Sequence, residues 1–328
     1  MKRILIAALT FCTTNVYSQQ VFNKSQPLAH TFSIVARDSV TGEMAVGVQS
    51  HWFSVGTAVP WAEAGVGALA TQSFVDKSYG IKALQLIKKG FTARQALDSL
   101  TKADEGREVR QVAIVDSKGN VAVHTGKNCI KYATHIKGTN FSVQSNMMLG
   151  SQVCENMATS FKNASGKPLA EKVLLALEAA QKAGGDIRGM QSAALVVVPG
   201  DSTTLPWNDK TVDLRVDDNP APLKELRRLY DVHLAYLHMN NGDLAVEKNN
   251  MQLAMQEYNA AMKMFPSNLE MQYWTAITLA NNKQLSQAKP ILKSIFAKDK
   301  NWKELTRRLK PVGLLNVTDP ELETILAL

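Results

Sequence analysis

Nine polar residues sit at the ends of segments that are otherwise apolar enough to be core. They are Ser50 and His51 in VGVQSHWFSVG, Gln72 and Ser73 in ALATQSFVD, Asn146 in VQSNMM, and Asp186, Arg188, Gln191 and Ser192 in GGDIRGMQSAALVVV. Polar groups in such surroundings need hydrogen-bond partners. Taken singly, each is explained by satisfying a neighbour or capping a helix. Their recurrence at equivalent strand ends points instead to a shared cleft, although spacing does not by itself bring them together. Other chemistries find no support. The six histidines are dispersed, there is no C-x-x-C or H-E-x-x-H, and neither a phosphate loop nor a G-x-S-x-G elbow occurs. No metal and no cofactor is therefore expected. His124 and His135 read as ordinary strand or loop residues, and Trp52, Trp61 and Tyr79 as core rather than pocket wall.

The elements that carry these residues follow from periodicity. Strand signals occupy Thr31 to Ala36, Met44 to Val48, Thr57–Val59 and Val66–Ala70. The period then changes. Ala83, Leu84 and Ile87 share a helical face, Gly90 stops that helix, and Thr92 caps a second one bearing Ala96, Leu97 and Leu100. Strands return at Val109–Val115, Val121–His124 and Phe141–Val143. Helices are then expected over Val153–Lys162 and Leu169–Ala183, the latter ended by Gly184-Gly185. The unbroken run Ala193 to Val198 reads as a strand buried on both faces. Helices grouped in pairs between groups of strands argue against singly alternating βα units. The expected fold is α+β: two antiparallel sheets packed together with a helix pair on each outer face, a four-layer αββα sandwich.

Residues 31–200 would form that body, and the prolines and aspartates of residues 201–222 a linker. Residues 223–328 turn helical. There Gly242, Ala254, Tyr258, Ala261 and Pro266 fit the spacing of a tetratricopeptide unit. Ala276, Ala288, Leu292 and Ile295 repeat the small and apolar classes 34 residues later. Two units fall short of a free-standing stack, so docking on the first domain or capping by flanking helices is expected.

The chain has 328 residues, 45% apolar, with 37 Lys+Arg against 29 Asp+Glu. The net charge of +8 is scattered singly and in pairs, +3 of it falling in residues 221–328. A nucleic-acid binder concentrates such an excess in one stripe, so nucleic acid is not an expected partner. Lys2 and Arg3, the apolar run Ile4 to Cys12 and the site at Val16-Tyr17-Ser18 read as a secretory signal peptide over residues 1–18. A secreted or periplasmic protein with no membrane span follows. Residues 19–30 look like an extended leader. Once Cys12 is removed, Cys129 and Cys154 remain, either bridged across a loop of about 25 residues for roughly 3 kcal/mol or separate as buried thiols.

The blocks TFSIVARD, VPWAEAGVGALATQSF, RQVAIVD, AVHTG and GGDIRGMQSAAL occur in this order over about residues 31–216. Together they resemble the family called domain of unknown function 1028. That family is placed in the N-terminal nucleophile (Ntn) hydrolase superfamily, whose members cleave amide bonds with a Thr, Ser or Cys exposed at the start of the first strand, often by self-cleavage. The resemblance implies Thr31 as the nucleophile, Gln72 (within Thr71–Ser73) and Asn146 as oxyanion donors, and a small amide or peptide as substrate. It further implies Ser50 and His51 near the amine or substrate, and Asp186 with Arg188 as an ion pair below the site or a hold on a charged group. Ser73, Gln191 and Ser192 would line the substrate side. A free α-amine of pKa about 7.7–8.0 can accept the hydroxyl proton of the same residue. One departure stands out: signal cleavage leaves 12 residues, Gln19 to His30, ahead of Thr31, so a second cut is needed. The alternative is a non-catalytic envelope protein that binds a ligand in the sandwich and a protein partner on the helical repeats. A third reading, attachment to cell-wall polymer, rests on the family alone.

Overall fold

The computed structural model describes residues 28–202 and 205–328. The expected signal peptide and most of the leader lie outside these. The chain opens with β1 (Leu28–Ala29), β2 (Thr31–Arg37), β3 (Met44–Ser50), β4 (Pro60–Glu63) and β5 (Gly67–Phe74), followed by helices α1 (Ser78–Lys88) and α2 (Ala93–Ala103). Next come β6 (Arg110–Asp116), β7 (Val121–Thr125), β8 (Thr134–Gly138) and β9 (Phe141–Ser145), then α3 (Val153–Asn163) and α4 (Leu169–Lys182). Strands β10 (Ser192–Val198) and β11 (Val212–Val216) precede the helices α5 (Pro222–Glu247), α6 (Met251–Met264), α7 (Leu269–Asn281), α8 (Leu285–Lys298), α9 (Asn301–Leu309) and α10 (Asp319–Leu326). No helix among the described residues is long and apolar enough to cross a membrane.

Two antiparallel sheets result. One runs β1-β5-β6-β7 with β4 also paired to β5, and the other runs β11-β10-β3-β2-β9-β8. Successive side chains of a strand point to opposite faces, so residue parity assigns each to a layer. In β2, Phe32, Ile34 and Ala36 join Met157, Val173 and Leu177 of α3 and α4, while Val35 faces the other sheet. In β6, Val112 and Ile114 pack with Leu84 and Leu97 of α1 and α2, while Ala113 and Val115 meet Val46, Val48 and Val196 between the sheets. The core between the sheets is thus built from small and β-branched residues, and each outer face carries a helix pair.

Several local expectations are realised in detail. Thr92 accepts the Gln95 amide N–H and the Gln95 side chain returns a bond to Thr92, a complete capping box at the start of α2. Gly184 and Gly185 both take positive φ where α4 ends. Others are corrected. The run at Thr57–Val59 is no strand: Val55–Thr57 is a 3-10 turn, and β4 begins at Pro60, whose missing N–H suits the first residue of an edge strand. β8 escaped notice because its pattern is half exposed and polar. The span expected to be a linker contains β11, whose alternating Val212, Leu214 and Val216 pair along β10. Residues Leu28–Ala29, counted as leader, form β1.

The helical region does not begin after a break. In α5, Leu223, Leu226 and Tyr230 belong to the core that covers β10 and β2. Farther along the same helix, Ala235, Met239 and Ala245 pack with Ala254, Tyr258 and Ala261 of α6. A Cβ on Gly242 would lie 2.4 Å from the Tyr258 ring, so the small residue there lets α5 and α6 approach closely. Ala276, Ala288, Leu292 and Ile295 are all buried in the cluster of α7 and α8.

Candidate active site

The nine polar residues of interest fall at one end of the two sheets. Parity places Thr31 and Ser33 (β2), Ser50 (β3), Gln72 (β5), Gln111 (β6), Gln144 (β9) and Ser192 (β10) on the faces that meet between the sheets. The same inter-sheet layer is apolar along most of its length and polar at this end. All seven of these residues are buried.

Thr31 is fully buried, and the residue before it marks a change of sheet. Ala29 pairs with Ser73 on the first sheet, whereas Thr31 pairs with Ser50 on the second. His30 is the crossing point. Its carbonyl oxygen accepts two hydrogen bonds, one from the Ser50 hydroxyl at 2.6 Å and one from the Arg188 guanidinium at 2.8 Å. The Thr31 hydroxyl, one residue on, donates to the Ala29 carbonyl at 2.7 Å. Arg188 is held in turn by Asp186, with Nε on Oδ1 at 3.0 Å and a second nitrogen on Oδ2 at 2.7 Å. The Asp186 side chain is wholly buried and also accepts the backbone N–H of His51 and of Arg188. Such a bidentate, charge-assisted pair fixes the guanidinium in orientation as well as position.

The His30 ring is sealed from solvent. Its Nδ1 lies 2.7 Å from Asn146 Oδ1, and its ring stands edge-on to Phe74 with centroids 5.8 Å apart. The Asn146 amide nitrogen donates to Gln111 Oε1 at 2.9 Å, so its oxygen faces the imidazole and Nδ1 carries the proton. Nε2 is buried with no hydrogen-bond partner among the described residues. Burial lowers the His30 pKa below its ordinary 6.5, the Arg188 charge adds to this, and the Asn146 bond and Asp186 charge work against it. The ring is accordingly neutral at pH 7.

Behind Thr31 a continuous polar network crosses between the sheets. Gln144 donates to Ser33, Ser33 to Gln72 Oε1, and Gln72 Nε2 to Gln111 Oε1 at 2.7 Å and to the Thr31 carbonyl at 3.2 Å. Gln111 Nε2 reaches Thr125, Thr134 and Ser145. The Asn146 backbone N–H also donates to the Thr31 carbonyl, at 3.1 Å. Gln72 and Asn146 therefore anchor the backbone of Thr31, and the donors on the adjoining His30 carbonyl are Ser50 and Arg188. Beyond Gln111 opens a cavity of about 500 Å³ whose lining includes Thr125, Cys129, Lys131, Tyr132 and Thr134.

The remaining sequence-derived residues lie farther from Thr31. Ser192 donates to the Trp52 carbonyl at 2.5 Å and accepts from the Val55 N–H, bracing the loop after β3. Gln191 donates to Asp218 on the surface. Ser73 takes a positive φ of 73° where β5 pairs with β1, and its hydroxyl lies beside the Cys129 thiol. His51 supplies a backbone N–H rather than its ring, whose Nδ1 is buried with no hydrogen-bond partner among the described residues. Cys129 and Cys154 are free thiols: Cys129 donates to the Arg110 carbonyl, and Cys154 meets Ser145 and the Thr134 carbonyl. Burial raises both thiol pKa values, that of Cys154 to about 11. Four central residues escaped the sequence reading, His30, Ser33, Gln111 and Gln144. The available signal for Gln111 was its place opening an apolar strand in RQVAIVD, the same signal that singled out Gln72.

The model of a family of unknown function, DUF1028, matches residues 31–226. The crystal structure of protein SPO2555 from Silicibacter pomeroyi, described as DUF1028, is similar with a TM-score of 0.56 and 30% identity, over 62% of this chain and 85% of that one. No curated protein matches the chain. The matched span contains Thr31, Ser50, Gln72, Asn146, Asp186 and Arg188 but not Ala29 or His30, and it ends inside α5. By this match the chain belongs to the DUF1028 family.

Proposed function

We propose that the protein is an exported Ntn-type amidohydrolase that frees its own nucleophile, Thr31, by cutting the His30–Thr31 bond. The observation that carries this reading is the double grip of Ser50 and Arg188 on the His30 carbonyl, one bond away from the residue that bears the hydroxyl. Two sheets with helix pairs outside them agree with the αββα sandwich of that superfamily, and β2 opens with Thr31 as the superfamily requires.

The chemistry runs in two stages. Thr31 Oγ adds to the His30 carbonyl carbon, and the charge that develops on the carbonyl oxygen meets the Ser50 hydroxyl and the Arg188 guanidinium. Donors aimed at such an oxyanion lower the barrier because they are already in place. The C–N bond then breaks, the nitrogen takes the hydroxyl proton, and His30 is left as an ester on Oγ. Water hydrolyses the ester, releasing the His30 carboxylate and leaving Thr31 with a hydroxyl and a free α-amine. In the second stage that amine accepts the hydroxyl proton as Oγ attacks a small amide or peptide, the acyl group passes to Oγ, and water discharges it. The helical region, with its tetratricopeptide-like spacing, serves a protein partner. Attachment to cell-wall polymer finds no distinct feature among the described residues to support it.

The test is the N-terminus of a folded chain that starts at Gln19. Intact mass and N-terminal sequencing are expected to show Thr31 as the first residue, with Thr31→Ala keeping the leader. Ser50→Ala, which removes one oxyanion donor, is expected to slow the cut by about 10²-fold. A folded wild-type chain that keeps His30 attached through prolonged incubation overturns the reading. It favours the binding-protein alternative, with which the full burial of Thr31 under β1 agrees.

A further inference from the structure

We propose that the leader is a template of the substrate: the matured site takes the acyl side of an extended peptide by strand addition to β5, with a small residue followed by a histidine before the scissile bond. This rests on the self-cleavage read above and adds the substrate class to it.

Cutting after His30 releases three kinds of contact at once. The β5 edge at Ser73 and Phe74 loses the strand pairing that Leu28 and Ala29 supply. Ser50 and Arg188 lose the carbonyl they hold, and Asn146 Oδ1 loses the imidazole N–H. Ser50, Ser73 and Asn146 are buried, and buried polar groups without partners are costly, about 1–3 kcal/mol each. The vacated site is therefore complementary to a ligand that restores all three contacts. Main-chain pairing to an exposed strand edge supplies affinity, and pockets for the side chains supply specificity.

Each pocket states what it accepts. Ala29 is wholly buried in the core between the sheets, packed in the cluster of Val35, Val48 and Ala70. The second residue from the bond is thus restricted to a small side chain. The pocket for the first residue is closed, and no charged group among the described residues hydrogen-bonds to the ring: the edge-on Phe74 ring lies on one side and the Asn146 amide oxygen on another. It accepts a planar ring with one N–H donor, and its one polar contact, the Asn146 amide oxygen, cannot donate to a carboxylate. The carbonyl subsite, by contrast, carries the Arg188 charge, so the peptide product with its new carboxylate remains a ligand.

The experiment uses the self-processed chain, shown by mass to begin at Thr31. Rates are measured on acetyl-Leu-Ala-His, acetyl-Leu-Trp-His and acetyl-Leu-Ala-Glu anilides and on a simple acetyl anilide, and the free peptide Pro-Leu-Ala-His is tested as a competitive inhibitor. The Leu-Ala-His substrate is expected to exceed each of the others at least tenfold in kcat/KM, and the free peptide to inhibit. A processed chain that hydrolyses the acetyl anilide as well as Leu-Ala-His, with no inhibition by the peptide, overturns the template while leaving the hydrolase intact. A processed chain that cleaves none of the substrates and does not bind the peptide by calorimetry also overturns it. Failure to obtain any chain beginning at Thr31 overturns the hydrolase reading first and the template with it.

Discussion

Thr31 would read, in most chains, as a β-branched residue opening a strand. Its setting differs in the company kept by the carbonyl before it, where one hydroxyl and one guanidinium converge while the guanidinium is locked by Asp186. The family resemblance made Gln72, in β5, and Asn146, just after β9, candidates for the donors. Their side chains instead reach the Thr31 carbonyl and Gln111, most of these bonds crossing from one sheet to the other. His30 offers a test at this scale in the Thr31→Ala chain, which keeps its leader. Burial depresses the His30 pKa in the folded state. Above about pH 6.5 folded and unfolded chains both hold a neutral ring. As pH falls below that value the unfolded chain takes up a proton that the folded one resists, so stability is lost toward the folded pKa. Urea melts between pH 7.5 and 5 are expected to show a steeper fall for Thr31→Ala than for the same chain with His30→Gln. His135 and His233, also depressed by burial, contribute equally to both and cancel. Equal slopes would contradict a sealed, neutral His30.

At the scale of the element, the site depends on how closely α4 lies on the sheet that holds Thr31. Gly47 in β3 sets that distance: a Cβ there would fall 2.4 Å from Val173 Cγ1 and 3.1 Å from Leu177 Cδ1. The flanking Val46 and Val48 point the other way, into the layer between the sheets. Gly47→Ala is expected to cost about 1–3 kcal/mol through overpacking. In urea the midpoint should drop with an unchanged m-value, as for a loss of stability without a change in surface exposed. A midpoint that stays in place would mean α4 can shift freely, and the close approach would lose its structural meaning. Helices α1 to α4, the Thr92 cap and the buried β10 were legible from periodicity because each depends on neighbours in sequence. Strands β1, β8 and β11 were not. They are short or half exposed, and partners far along the chain, β5, β9 and β10, make them strands.

Across the whole molecule, α5 joins the α/β body to the helices beyond it, and Arg227 reinforces the joint by pairing with Glu171 and, at 3.0 Å, with Glu178 of α4. All three side chains are less than a third exposed, with Arg227 at 24%. A loss between the ~0–1 kcal/mol of exposed pairs and the ~3–5 kcal/mol of breaking buried ones is therefore expected, about 1–3 kcal/mol for Arg227→Met. Calorimetry should show a lower Tm for the variant, with the gap to wild type narrowing in 1 M salt. A variant with unchanged Tm would leave apolar packing of Leu223, Leu226 and Tyr230 as the whole of the joint. The sequence by itself determined the order of strands and helix pairs, the helical character of the C-terminal third, and which polar residues lie in apolar strands. These are properties of local periodicity, in which each residue answers to neighbours a few positions away. Only the tertiary structure decided that β1 crosses to β2 at His30, that Ser50 and Arg188 meet one carbonyl, and that Gln72 and Asn146 serve the backbone behind it. Those contacts join residues from 20 to 158 positions apart, and no period along a chain encodes which of two buried donors reaches a given oxygen.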